Sequence, residues 1–305
     1  MAGTYDDGYQ ESDYAPTQFT PQKWVGELDK SVSHTRRVIY LRPYYALVVD
    51  TLDGTGNHTY EAHWQIGPTS INGTDPMPPG QVDSSTQAYF SNRGNYVNIA
   101  LFPLERDHLT FNVVVGQKGP ILGWAQKEGK AFPSPTVCFI KQQDAPATFA
   151  TLLYPYQKSS IPTVTGQPIS TDADAWGQSI VTPQEKAEVV LIKDGTCKPI
   201  SFQSALTGTA VNAQAAGILL RQPSGQSAPF VVGWDVRNYN DGAGISFTRD
   251  QNPLFFNAGS DPVVINLTRP TAAKITLAPQ AWTDSSGNPA QAPALFPPLI
   301  PGRNR

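Results

Sequence analysis

The chain has 305 residues, a formal net charge of −3 and only 15% charged residues, and it contains 25 glycines and 28 prolines. Because helical bundles are rich in Glu, Lys, Leu and Ala, this turn-rich composition favours an all-β protein. The weak negative charge gives no basis for nucleic-acid binding, and no apolar run approaches the roughly 20 residues of a membrane-spanning helix. We therefore expect neither nucleic acid nor a membrane as a partner.

The first 25 residues form an acidic, tyrosine-rich segment without apolar periodicity. The segment has neither the basic start nor the apolar core of a secretory signal peptide. We predict that residues 1–25 are a partly disordered lead-in, or a segment truncated from a longer protein.

Residues 26–157 contain short runs of β-branched and aromatic residues at close intervals, separated by Gly, Pro and Asn. The runs include VIYLR, YALVVDTL, HTYEAHWQI, YVNIALFPL, LTFNVVVG, TVCFIK and FATLLYPY. Many short strands with turn signals between them are typical of antiparallel β-sandwiches. The pattern predicts that residues 26–157 form such a sandwich.

The composition shifts to Ser, Thr, Pro, Gln and Asp at residues 158–184, which predicts a linker or a long loop. Strand-like runs resume over residues 185–283 and predict continuing C-terminal sheets. Residues 284–305 are proline-rich and are expected to form an extended tail. The fold prediction for the whole chain is all-β: a large antiparallel β-sandwich of many short strands, resembling a supersandwich.

A cluster of basic residues opens one of the strand-like runs, at His34, Arg36 and Arg37. Arginine and protonated histidine bind carboxylates and sulfates through charge-assisted hydrogen bonds. The sequence therefore predicts that these three residues bind an anionic substrate group. A solvent-exposed strand entrance explains the same residues about equally well.

The other polar residues give weaker signals. His58 and His63 are five residues apart on one predicted strand, so alternation places them on opposite faces and does not favour a shared metal. His108 follows three charged residues and is expected at the surface. Asp50 is interpreted as a strand-end residue that holds the following turn. We predict no catalytic residue, no metal ligand and no cofactor.

Nucleophilic catalysis finds little support, because there is no GxSxG motif and neither cysteine has a histidine near it in sequence. Cys138 lies in an apolar run and is predicted to be a core residue, while Cys197 follows a turn; a disulfide between them stays open. Trp124, Trp234 and Trp282 lie at or near turns. A core position is favoured for each, with sugar stacking as the alternative.

Several segments taken together resemble the heparinase II/III-like polysaccharide lyases. The resemblance covers residues 8–157 and is specific as a set. It is carried by GYQ at 8–10, by HTRRVIYLRPYYALVVDTLDGTGNHTYEAHWQI at 34–66, by GPILGWAQKEGK with its Gly123-Trp124 pair, and by FATLLYPY at 149–156. Members of this family cleave uronate-containing polysaccharides by β-elimination and combine a helical toroid with a β-sandwich. The resemblance implies a secreted or periplasmic protein.

The same resemblance implies that the family's catalytic residues lie in the toroid, upstream of this chain, and that its sandwich metal site draws on absent sequence. The leading hypothesis is therefore the β-sandwich portion of a polysaccharide lyase, inactive alone. Its partners would be the toroid domain and an acidic polysaccharide, which His34, Arg36 and Arg37 would help to bind. The alternative is a free-standing carbohydrate-binding or cell-surface module.

Overall fold

The computed structural model contains strands and turns, and no helix occurs in the part of the chain that it describes. Among these residues there is accordingly no apolar helix long enough to cross a membrane. The structure describes residues 2–6, 9–13, 23–41, 44–67, 80–93, 96–119, 121–127, 129–157, 160–227, 229–242, 246–248, 254–255 and 276–277. The all-β prediction is confirmed.

The strands of the first half of the chain are β1 Ala2–Tyr5, β2 Tyr9–Asp13, β3 Lys23–Asp29, β4 Val32–Leu41, β5 Tyr45–Gly54, β6 Asn57–Gln65, β7 Gln81–Asp83, β8 Ala88–Phe90, β9 Asn98–Pro103, β10 Leu109–Val114, β11 Gln117–Lys118, β12 Ile121–Leu122, β13 Trp124–Lys127, β14 Lys130–Pro133, β15 Thr136–Asp144 and β16 Ala147–Tyr156. The remaining strands are β17 Thr165–Pro168, β18 Ala175–Val181, β19 Glu185–Ile192, β20 Lys198–Gln203, β21 Ala210–Ala215, β22 Gly217–Pro223, β23 Phe230–Trp234, β24 Asn238–Asn240, β25 Ser246–Thr248, β26 Leu254–Phe255 and β27 Thr276–Leu277.

The chain divides into two compact units. Unit 1 comprises Met1–Gln167 together with Val181–Gln184, and unit 2 comprises Pro168–Ile180 together with Glu185–Arg305. The chain therefore enters unit 2, returns to unit 1 for four residues and then enters unit 2 again.

Unit 1 is built around a seven-stranded sheet with the strand order β1-β4-β5-β16-β9-β8-β7 and a three-stranded sheet with the order β10-β15-β6. Strand neighbours with a described register in both sheets run antiparallel. Side chains from the two sheets meet in one apolar cluster, whose buried members are Val32, Tyr60, Ala62, Ile66, Tyr89, Leu101, Leu109, Val137, Phe139, Ala147 and Phe149. The two sheets thus form the layers of a sandwich, as predicted.

Strand β6 shows how the sequence pattern produces this packing. Tyr60 and Ala62 are buried, whereas Thr59, Glu61 and His63 are exposed. Because successive side chains of a strand point to opposite faces, this alternation places one face in the sandwich core and the other in solvent. The prediction that His58 and His63 lie on opposite faces is confirmed.

Unit 2 contains a sheet with the neighbouring strands β18-β19-β22-β23 and a four-stranded sheet, ordered β20-β21-β24-β25. Residues of both sheets share a second apolar cluster, with buried members Ala175, Val190, Ile192, Ile200, Phe202, Val211, Ala213, Ala215, Ile218, Leu220, Val231 and Tyr239. The short pair β26–β27 is parallel. Unit 2 is therefore a second two-layered β structure.

The stretch 158–184, for which the composition predicted a linker or long loop, contains strands β17 and β18. Their Gly, Gln and Ser residues lower the apolar content that marks a strand in sequence, yet β18 is buried over most of its length. The expected tail at 284–305 and Trp282 lie outside the described residues.

Candidate functional site

A polar cluster lies on the side of the seven-stranded sheet that faces the sandwich interior. Arg36 on β4 stands directly opposite Asp50 on β5. Its Nε donates to Asp50 Oδ1 at 2.6 Å and its Nη2 donates to Oδ2 at 2.9 Å. His34, two residues earlier on the same face, places Nε2 2.8 Å from Asp50 Oδ1. One buried carboxylate thus accepts hydrogen bonds from two basic side chains.

The facing sheet contributes an aromatic residue to this cluster. The guanidinium carbon of Arg36 lies 5.8 Å from the ring centroid of Trp64 on β6, within the range of a cation–π contact. Arg36 therefore joins β4, β5 and β6, three strands of the segment 34–66. We refer to Arg36, Asp50, His34 and Trp64 as the Asp50 cluster.

The electrostatics of the Asp50 cluster favour an ionised carboxylate. Burial acts to raise the pKa of Asp50, but hydrogen bonds from His34 and Arg36, together with the charge of Arg36, outweigh it and hold the pKa below its ordinary value. The hydrogen bond to Asp50 in turn raises the pKa of Arg36. The charges of the carboxylate and the guanidinium compensate each other within the cluster.

The three predicted substrate-binding residues are not brought together. His34 and Arg36 share one face of β4, whereas Arg37 points to the other face and is buried, with 7% of its surface exposed. The side chain of Arg36 is 48% exposed and that of His34 is 25% exposed. Arg36 and His34 are therefore partly exposed on one face of β4, and Arg37 is buried on the other.

The interpretation of Asp50 as a turn-holding residue is wrong. Asp50 lies inside β5, where its carboxylate binds side chains of the neighbouring strand rather than the backbone of the turn at Asp53-Gly54. The relevant partner, Arg36, lies fourteen positions upstream.

The outer face of the three-stranded sheet carries a second constellation that the sequence analysis missed. Cys138 on β15 is the direct cross-strand neighbour of His63 on β6, and His63 Nε2 lies 2.6 Å from Glu61 Oε2. A thiol, an imidazole and a carboxylate on one face suggest an activated nucleophile. However, burial and the charge of Glu61 raise the pKa of the Cys138 thiol to about 11, so the reactive thiolate is scarce near neutral pH. Cys138 is a buried structural thiol, and the structure shows no disulfide between Cys138 and Cys197.

A buried cation lies inside the sandwich of unit 1. Lys141 on β15 is 2% exposed, and its Nζ lies 5.7 Å from the ring centroid of Phe149. Burial lowers the pKa of Lys141, an effect that the charges of Glu105 and Asp107 partly offset. Burial at this position therefore disfavours the protonated, charged form of the Lys141 side chain.

Of the remaining histidines, His58 binds local partners. His58 Nε2 lies 2.9 Å from the carbonyl oxygen of Thr55 and 3.2 Å from the hydroxyl of Ser31. His108 is exposed, as predicted. In the part of the chain that the structure describes, no group of three or more His, Cys, Asp or Glu side chains is arranged to hold a metal ion.

Trp124 acts in packing at a tight turn. Its Nε1 donates to the carbonyl oxygen of Gln117 at 2.6 Å. The preceding Gly123 has a φ of 77°, and its carbonyl oxygen accepts from the amides of Gly116 and Ser134, both at 2.8 Å. The Gly123-Trp124 pair therefore joins two hairpins of unit 1.

The fold and these sites define an all-β protein with a buried, hydrogen-bonded carboxylate on the interior-facing side of an antiparallel sandwich. No model of a known protein family matches the chain, and no curated protein matches it significantly.

Two solved structures of heparan sulfate lyase HepC from Pedobacter heparinus show partial similarity. A mutant of that enzyme aligns with 53% of this chain and 24% of its own, at 16% sequence identity and a TM-score of 0.44. The second HepC structure aligns with 63% of this chain and 28% of its own, at 14% identity and a TM-score of 0.44. The chain therefore spans about a quarter of the length of these structures. A likeness of this extent does not establish a shared activity.

Proposed function

We propose that this chain is the β-sandwich part of a polysaccharide lyase and that it binds an acidic, uronate-containing polysaccharide without cleaving it. The observation that carries the proposal is the convergence of Arg36, Asp50 and Trp64. These residues come from three successive strands of the segment that resembles the heparinase II/III-like lyases, and they form one partly exposed cluster.

The chemistry of the Asp50 cluster suits an anionic sugar. A guanidinium has five N–H donors, of which two bind Asp50, so others are available to a carboxylate or sulfate. Trp64 presents an aromatic surface beside the same guanidinium, and the C–H face of a sugar ring packs on such surfaces. Asp50 holds Arg36 in position, so little side-chain entropy is lost on binding.

The rest of the proposal concerns the whole protein. The catalytic base and acid would belong to a helical toroid domain, which would form the other wall of the substrate cleft. Such a protein would act on extracellular polysaccharide and would be secreted or periplasmic.

The binding experiment measures affinity of the chain for immobilised alginate, heparin and hyaluronan, with uncharged dextran as the reference. Arg36→Gln removes charge-assisted hydrogen bonds worth about 1.5–3 kcal/mol, so we expect binding to acidic polymers to weaken roughly tenfold or more. Lys186→Gln is the matched control, because it removes one exposed positive charge from β19 in unit 2. Arg36→Lys keeps the charge but loses the forked geometry and is expected to bind with intermediate affinity. Equal binding by the wild-type chain and Arg36→Gln would refute the role of Arg36.

A separate assay addresses catalysis. β-Elimination creates an unsaturated uronate that absorbs in the ultraviolet. We expect no increase in absorbance when the chain alone is incubated with these polymers. Turnover by the chain alone would contradict its assignment as a non-catalytic part.

A further inference from the structure

Unit 1 contains a pocket at the C-terminal end of β16, away from the Asp50 cluster. Its volume is about 350 Å³, at the lower end of the roughly 300–1,000 Å³ that is typical of small-ligand sites. The pocket is lined by Val97, Tyr154, Pro155, Tyr156, Gln157, Ser160, Pro162, Pro183 and Gln184. Three separate segments of the chain therefore build it.

The pocket walls are held in place by contacts behind them. Tyr154 stacks on Tyr45, with ring centroids 6.2 Å apart and an interplanar angle of 18°, and its hydroxyl donates to Gln184 Oε1. Tyr156 donates to the carbonyl oxygen of Ser91 at 2.8 Å. These contacts pre-organise the pocket, which reduces the cost of ordering it around a ligand.

The chemistry of the lining is polar but uncharged. Gln157, Ser160 and Gln184 offer amide and hydroxyl groups, while the prolines and tyrosines offer C–H and aromatic surfaces. None of the nine lining residues carries a charge at neutral pH. Among these described lining residues, a charged ligand group would lose its hydration without gaining an opposite charge, so an uncharged ligand is favoured.

Large apolar residues lie within the lining segments or next to them in sequence, and their side chains are exposed. Tyr96 is 53% exposed, Val97 52% and Ile161 56%. They adjoin or belong to the lining segments. Apolar surface next to neutral hydrogen-bonding groups matches a pyranose ring, which has apolar C–H faces and a rim of hydroxyl groups.

We propose that this pocket binds one uncharged pyranose unit of a polysaccharide, of the hexose or N-acetylhexosamine class. The inference extends the proposed function, in which the chain binds polysaccharide, by adding a neutral subsite to the acidic one. The two sites are separate: Tyr154 follows Phe149, the cross-strand neighbour of Asp50, by five residues on β16, or about 17 Å along a strand.

The test is titration of the full chain with cellobiose, maltose and N,N′-diacetylchitobiose, followed by saturation-transfer NMR and calorimetry. Gln184→Met keeps the size of the side chain but removes its amide, and we expect about tenfold weaker binding for the loss of one or two hydrogen bonds. Tyr154→Phe removes the hydroxyl that positions Gln184 and keeps the ring, so it tests the same pocket with a smaller disturbance. Gln142→Met, at an exposed site on β15, is the matched control.

The outcomes separate this inference from the proposed function. Binding of a neutral disaccharide that Gln184→Met and Tyr154→Phe weaken, and that Arg36→Gln and Gln142→Met leave unchanged, supports the pocket even if acidic polymers do not bind. Absence of binding by all three disaccharides overturns it, as does binding that neither pocket variant affects. Occupation of the pocket by an oligoproline peptide, and not by a sugar, also overturns it.

Discussion

Arg36 and Asp50 face each other across two central positions of neighbouring strands, and the guanidinium donates to both carboxylate oxygens. The carboxylate is buried, whereas the guanidinium is half-exposed. This geometry lets one pair serve two purposes. Asp50 anchors β5 to β4 from inside the sandwich. Arg36 exposes the positively charged member of the same pair to solvent.

The first prediction concerns acid stability. Because the pKa of Asp50 is lowered in the folded state, its contribution to the free energy of unfolding is present above the unfolded pKa of about 3.9 and is lost as pH falls through the lower folded pKa. Asp50→Asn should be less stable than the wild-type chain at pH 7, by about 1–3 kcal/mol. The difference should shrink below about pH 4. Thermal unfolding from pH 7 to pH 2 measures it, and a constant difference over that range would contradict the ionised pair.

The second prediction concerns Gly123. Its φ is 77°, and a Cβ there would lie 2.5 Å from the carbonyl oxygen of Val114. Gly129 has nearly the same φ, 75°, but a Cβ there would meet no atom of the described residues within 4 Å. We expect Gly129→Ala to lower the free energy of unfolding by about 1–2 kcal/mol through backbone strain alone. Gly123→Ala should lower it distinctly more, because its Cβ also meets the carbonyl oxygen of Val114. Equal losses of unfolding free energy for the two variants, measured by chemical denaturation, would show that the backbone near Val114 moves away from the new Cβ at no cost.

The third prediction concerns the buried Lys141. Since its folded pKa lies below 10.5, the unfolded chain binds more protons between the two pKa values, and the free energy of unfolding should rise with pH in that window. Lys141→Met removes the cost of burying a charge and should be at least as stable as the wild-type chain at pH 7. Its advantage should decrease as the pH approaches 10.5. A loss of stability at pH 7 would mean that the contact with Phe149 outweighs the burial cost.

The fourth prediction concerns an ion pair inside unit 2. Arg221 Nη2 lies 2.6 Å from Glu185 Oε2, the Glu185 side chain is 0% exposed, and the guanidinium lies 5.4 Å from the Phe230 ring centroid. Arg221→Met leaves a buried carboxylate without this cation and should cost about 3–5 kcal/mol. The double variant Glu185→Met/Arg221→Met should recover most of that loss.

An exposed ion pair provides the control for that measurement. Lys198 contacts Asp174 and Asp194 at 3.0 and 2.8 Å on the surface of unit 2. Because solvent screens exposed pairs, Lys198→Met should change the melting temperature little. If it lowered the melting temperature as much as Arg221→Met does, burial would not explain the Arg221 effect.

Local sequence patterns were sufficient to predict strands such as β5, β6, β9, β15 and β16 of unit 1 and the opposite orientations of His58 and His63. They did not predict β1, which lies in the expected lead-in and pairs with β4. The same alternation separates Arg36 from Arg37, since adjacent residues of a strand point to opposite faces. Applied to β4, this alternation predicts that Arg37 lies on the opposite face from His34 and Arg36, where the structure places it.

Other features depend on pairing between distant segments. The partner of Asp50 is set by the register of β4 against β5, and the neighbour of Cys138 by the register of β15 against β6. Neither register is encoded in a short window of sequence. The pocket near Tyr154 combines residues from three segments, so no single motif marks it.

The return of Val181–Gln184 to unit 1 means that the two units are interleaved in the gene rather than arranged in series. A stop codon after Gln167 would keep every strand of the seven-stranded and three-stranded sheets. It would nevertheless delete Pro183 and Gln184, and with them one wall of the pocket. A recombination that exchanges unit 1 as a whole must therefore also include the four codons for Val181–Gln184, which lie within the coding sequence of unit 2.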